Sequence, residues 1–177
     1  SGANSVCSTI TAAGGGFGGN PRSQGPAQPE GQPGGSGGGG GGGSPGPKTG
    51  GTGNTPPTSP AQGTDGGGGS TANQTLGGSG GGATAAGVTS PGCSPPPSTP
   101  SRGTGATTHI SGSPSNYAFG GSYSSYNPSG LDPSCAGAAN TGFGGDATNA
   151  GPGGNVPASP LANYQGKAGG SGIVIIR

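Results

Sequence analysis

The chain has 177 residues, of which 50 are Gly and 20 are Pro, and its five basic and four acidic side chains leave a net charge of +1. Only 23% of the residues are hydrophobic, with neither Trp nor Met. At ~25 cal/mol per Å² of apolar surface, these side chains cannot offset a backbone ordering cost of about 1–2 kcal/mol per residue, which is highest for Gly; a conventional hydrophobic core is excluded.

A chain of this composition is disordered by default. Order requires that the backbone, the one abundant resource, supply the cohesion. The basic residues Arg22, Lys48, Arg102, Lys167 and Arg177 are scattered, whereas nucleic-acid binding needs them clustered, so no nucleic-acid partner is expected. No apolar stretch approaches the ~20 residues of a membrane span, and no n-region or h-region of a signal peptide is visible. Membrane insertion is not expected.

In chain order, "SVCSTITAAGGG" opens with a strand-like alternation that places Val6, Ser8 and Ile10 on one face. A long glycine tract follows, in which "GQPGGSGGGGGGGSPGPK" keeps glycine at every third position: Gly31, Gly34, Gly37, Gly40, Gly43 and Gly46. Gly63, Gly66 and Gly69 repeat the spacing, as do Gly166, Gly169 and Gly172. Thr49 ends the first run, so the period is not the sustained one of collagen. Polyproline II has three residues per turn and no internal hydrogen bonds. Threads of this kind that lack side chains can approach closely and bond to one another, each satisfying its amides through its neighbours. Proline suits the dihedrals but lacks the donor, which assigns "NTPPTSPAQG", "CSPPPSTPSRG" and "GNVPASPLANYQG" to turns.

The expected fold is therefore irregular and glycine-rich. It is a bundle of polyglycine-II or polyproline-II-like extended helices, with short β-strands at the two ends and almost no α-helix. One domain over 1–177 would comprise an opening strand (1–13), a glycine-rich body with Pro-rich turns (14–106), an aromatic Ser/Tyr segment (107–135), a glycine-rich return (136–171) and a terminal β-strand (172–177). In that terminal strand Ile173, Val174, Ile175 and Ile176 form the densest apolar run of the chain. They would pack with Ile10, or pair with another copy.

The segment "TTHISGSPSNYAFGGSYSSYNPSG" carries Tyr117, Phe119, Tyr123 and Tyr126 and the single histidine, His109. Exposed aromatics are the usual anchors of binding surfaces, and the same residues could instead cover the glycine bundle. Cys7, Cys93 and Cys135 have no CxxC spacing, which argues against zinc. They admit either isolated thiols or a Cys93–Cys135 bridge, with Cys7 free or pairing between subunits. "GGSPGPKTG" departs from a phosphate loop because Pro47 separates Gly46 from Lys48. Glu30, Asp65, Asp132 and Asp146 are dispersed and no nucleophile–base pair is visible. No enzyme, cofactor or metal is expected.

"TITAAGGG", "GNTPPTSPAQG", "HISGSPSNYAFGG" and "GGSGIVIIR", in that order, resemble recurring blocks of the glycine-rich domains of bacteriophage tail fibres and receptor-binding tail adhesins. "NTGFGGDATNAGPGGN" resembles the long glycine stretch of those domains, here interrupted by Phe143, Asp146, Asn149 and Pro152. The resemblance implies a structural or adhesive module on a virion surface or otherwise extracellular, self-associating or bound to a host-surface glycan or protein. The interruptions place the expected lattice in Gly14–Gly82. The other reading is the subunit of a self-assembling extracellular fibril, with Gly172–Arg177 as its intermolecular strand.

Overall fold

The computed structural model describes residues 2–20, 30–42, 48–70, 77–90, 102–110, 112–122, 142 and 144. The expectations for Gly43, Gly46, Cys93, Cys135, Tyr123, Tyr126 and the Ile173–Ile176 run lie outside the described residues. Among the described residues there is no helix, as the low helix propensity of Gly and Pro leads one to expect. The regular elements are β1 (Ser5–Cys7), β2 (Ile10–Ala12), β3 (Ala106–Thr108) and β4 (Ser115–Tyr117), paired antiparallel as β1–β2 and β3–β4.

The opening segment is a hairpin rather than the single alternating strand expected from its pattern. Ser5 pairs with Ala12, Val6 with Thr11 and Cys7 with Ile10, leaving Ser8 and Thr9 as a two-residue turn. Ser8 has a φ of 54°, the positive value that two-residue hairpin turns require at a central position. The turn puts Val6 and Ile10 on opposite faces, since neighbouring pairs of a ladder point opposite ways.

The rest of the body is held by backbone hydrogen bonds between segments that are neither helix nor strand. Donors facing the same neighbour are three residues apart. Gly16 and Gly19 donate to the Ser36 and Gly39 carbonyls (2.8 and 2.7 Å), Gly37 and Gly40 to Thr64 and Gly67 (both 2.9 Å), and Gly66 and Gly69 to Gly51 and Lys48 (2.9 and 2.8 Å). The step is three on the acceptor side too, for parallel and antiparallel neighbours alike. Consecutive amides turn to different partners: Gly78 donates to Gly40, Ser79 to Val88 and Gly80 to Gly121, and Gly81 returns to Gly37 on the first of these segments. A β-strand offers two bonding edges; segment 77–83 bonds in three directions.

Gly31 and Gly34 donate to Thr49 and Thr52, before the chain bends at 34–36 and Gly38 donates back to Gln32 at 3.0 Å. The glycine run is therefore two antiparallel pieces, not one rod. The network also continues past the expected limit at Gly82, through Gly87, Ser90, Gly103 and Gly120.

The order of partners gives each segment its direction. Segments 13–20, 36–42, 62–70, 84–90 and 118–122 run one way; 30–35, 48–54, 77–83 and 102–105 run back. The connections consequently divide between two poles. One pole holds the β1–β2 hairpin, the 34–36 bend, the loop after Asn54, the turn near Thr84 and the β3–β4 hairpin. At the other pole the described chain leaves after Asn20, Gly42, Ser70, Ser90 and Ser122 and re-enters at Glu30, Lys48, Gly77 and Arg102.

The hairpin pole is tied by side chains. Asn54, at a φ of 48°, accepts at Oδ1 from the Thr58 amide (3.1 Å), the Thr58 hydroxyl (2.9 Å) and the Gln62 amide (3.1 Å). Gln62 reaches β2, its Oε1 accepting from the Ala13 amide at 2.6 Å and its Nε2 donating to the Thr11 carbonyl at 3.1 Å.

Segment 36–42 sits in the middle of the bundle, and Gly37 to Gly42 are all buried. A Cβ on Gly37 would fall on the Gly51 carbonyl, one on Gly38 on the Phe17 carbonyl, and one on Gly39 on the Gly78 carbonyl. Three successive positions meet three different segments, so no face of this thread has room for a side chain. Ser79 is 0% exposed, and its hydroxyl is accommodated by accepting from the Val88 amide at 2.7 Å.

Gly38→Val should therefore cost more than about 4 kcal/mol and abolish cooperative unfolding in a denaturant titration. Gly15→Ala, whose nearest new neighbour would be the Ser36 carbonyl oxygen at 3.8 Å, should change stability by no more than about 1 kcal/mol.

Candidate functional site

The one aromatic–cation contact among the described residues lies where β3–β4 meets segment 118–122. Ala106 pairs with Tyr117, Thr107 with Asn116 and Thr108 with Ser115, and the Thr107 hydroxyl bonds the Asn116 side-chain oxygen on the exposed face. The loop between the strands exposes His109 and Ile110 and is closed by the Gly112 amide donating to the His109 carbonyl at 2.9 Å, with Gly112 at a φ of 93°.

Beyond β4 the chain turns at Ala118, whose φ is 57°. The Ala118 carbonyl accepts from the Ala83 amide (3.0 Å), and the Phe119 carbonyl accepts from Gly144 (2.8 Å). These bonds fix the backbone on both sides of Phe119. Its ring lies against Gly105, close enough that a Cβ there would stand 3.0 Å from the ring edge. The Arg102 guanidinium carbon sits 4.6 Å from the ring centroid, within the range of a cation–π contact. Tyr117 and Phe119 are half-buried.

Of the aromatic set read from the sequence, Tyr117 and Phe119 are thus brought onto adjoining pieces of chain. Arg102 joins them through the pairing of segments 102–105 and 118–122, in which Gly120 donates to Gly103 at 2.9 Å. No sequence spacing pointed to Arg102, because that contact depends on the fold. His109 stands apart in the hairpin loop, and Asp65 is engaged structurally, its Oδ1 accepting from the Gly53 amide at 2.7 Å. Among the described residues, no three His, Cys, Asp or Glu side chains are grouped so as to hold a metal ion. The Cys7 thiol is free and exposed on β1. No helix among the described residues is long and apolar enough to cross a membrane.

The arrangement places a guanidinium on an aromatic face beside an exposed hairpin whose Thr107, Thr108 and Ser115 hydroxyls are bonded locally. Arg102→Ala should lower stability by about 0.5–1 kcal/mol, read as a shift in denaturation midpoint.

Compared with protein-family models, with curated proteins and with solved structures, the chain matches none.

Proposed function

We propose that the chain is an extracellular structural and adhesive module resembling the glycine-rich part of a phage tail fibre or receptor-binding adhesin. In this reading the body is a bundle of polyglycine-II-like helices ordered by backbone hydrogen bonding. One observation carries it: the step of three in the inter-segment bonds, with the Gly78, Ser79 and Gly80 amides directed to three different neighbours and Gly81 repeating the direction of Gly78. A threefold helix turns each amide by a third of a circle from the last, which is the pattern those four donors follow.

The two-pole layout supports the adhesive half of the reading. A body cross-bonded between its segments is stiff, and its two hairpins stand at one pole. Such a body holds one end fixed for contact with a host-surface glycan or protein. Tyr117 and Phe119, with Tyr123 and Tyr126 farther along the sequence, supply aromatic anchors of the kind such contacts use. The role needs no catalytic step, cofactor, nucleic acid or membrane insertion.

Imaging native particles with a gold-labelled antibody to the chain tests this. Discrete label at the end of a virion tail is expected. Continuous label along free filaments would overturn the reading and establish the fibril subunit instead.

A further inference from the structure

The β1–β2 hairpin has two edges, and they differ. Cys7 and Ile10 flank the two-residue turn, so they form a hydrogen-bonded pair. By the alternation of an antiparallel ladder, Val6 and Thr11 then direct their amides and carbonyls outward. On the β2 side the outward groups are taken: the Thr11 carbonyl and the Ala13 amide both bond the Gln62 side chain, which stands where a third strand would begin. On the β1 side the outward amide and carbonyl of Val6 face no such cap among the described residues.

The hairpin also exposes one large apolar residue on each face. All six strand residues are exposed, with Val6 at 66% and Ile10 at 72%, one on each face. A two-stranded ribbon of this kind is marginal in water by itself, and three strands are the smallest sheet with independent stability. An open edge beside β1 and an apolar residue on each face define what fits: a short strand, β-branched at successive positions, with apolar side chains on both sides.

From these observations we infer that the outer edge of β1 is a strand-addition site and that its occupant is Gly172–Arg177 of the same chain. Ile173 and Ile175 would extend one face of the hairpin and Val174 and Ile176 the other, so Val6 gains an apolar cross-strand neighbour on its face, and the face of Ile10, one strand farther across, is widened beyond Cys7. The 145–171 stretch, at up to about 3.3 Å per residue, is long enough to bring this strand back from Gly144. The inference deepens the proposed function: a terminal strand engaged within its own chain is not available to link one copy to the next. The resulting sheet would stand at the hairpin pole.

Isotope-filtered NMR on the full chain tests it. Cross-strand NOEs between Val6 and residues within Gly172–Arg177 are expected in a uniformly labelled sample and should be missing from the intermolecular spectrum of a mixed labelled and unlabelled one. In a Val174→Pro variant the Val6 amide should exchange with solvent about tenfold faster, while the Gly37 and Gly40 amides, which report on the bundle separately, stay protected. Absence of those NOEs, or their appearance only between molecules, would overturn the inference, the second result placing another copy on the edge. Should the proline variant also release Gly37 and Gly40, the NOEs of the unmodified chain decide.

Discussion

The described body depends on peptide amides donating to carbonyls of neighbouring threads that carry no side chain where they touch. In an ordinary domain the apolar side chains supply the driving force and the backbone bonds are a requirement to be met. Here the order is reversed. Each bond adds only about 0.5–1.5 kcal/mol net, but a buried peptide group left unpaired costs about 1–3 kcal/mol. A packed array of glycine threads is therefore stable only when nearly every inward amide finds a partner. Segment 36–42 meets that condition with its amides donating to segments 30–35 and 62–70, and its carbonyls accepting from segments 13–20, 48–54 and 77–83. The absence of a Cβ at Gly37, Gly38 and Gly39 is what permits the approach.

That requirement also explains what the sequence disclosed and what it withheld. The recurrence of glycine at Gly31, Gly34, Gly37 and Gly40 pointed to a repeat of three, and each of these amides donates to another segment. The Asn-Thr-Pro-Pro stretch pointed to a turn, and Asn54 organises one. The reversal at 34–36 was illegible because a run of glycine satisfies any period and marks no boundary. The turn at Ser8 and Thr9 was hidden for another reason: a serine at positive φ is uncommon, and the alternation of Val6, Ser8 and Ile10 read as a continuous strand. The β3–β4 hairpin left a fainter mark, a Gly-Ser-Pro cluster between two short β-forming runs. The Arg102–Phe119 contact left none, since neither residue constrains the other until segments 102–105 and 118–122 are side by side.

The two poles rest on different chemistry. In the middle of the bundle backbone meets backbone, and no fully buried side chain among the described residues is larger than that of Ser79. At the hairpin pole polar side chains reach backbone groups: Asn54 within its loop, Gln62 to β2, and Thr84, whose hydroxyl donates to the Gly105 carbonyl at 3.0 Å. Among the described residues, Val6, Ile10, Ile110 and Tyr117 sit on the two hairpins of that pole, while Phe17 and Val88 are exposed on segments 13–20 and 84–90.

A bundle whose inter-segment bonds recur every three residues carries an ambiguity that backbone bonding cannot resolve. Sliding one glycine thread past another by three residues regenerates the same set of bonds, so glycine alone does not choose a register. Side chains that can be satisfied in only one alignment must choose it. Asp65 accepts from the Gly53 amide, which holds segment 62–70 against segment 48–54. The Thr64 hydroxyl reaches the Gly82 and Ala85 carbonyls at 2.8 and 2.7 Å, locking the same segment to the turn near Thr84. The Ser79 hydroxyl pins segment 77–83 to Val88. Gln62 aligns the whole assembly with the β1–β2 hairpin. The few polar residues that interrupt the glycine tracts are thus the part of the sequence that makes this lattice one structure rather than many.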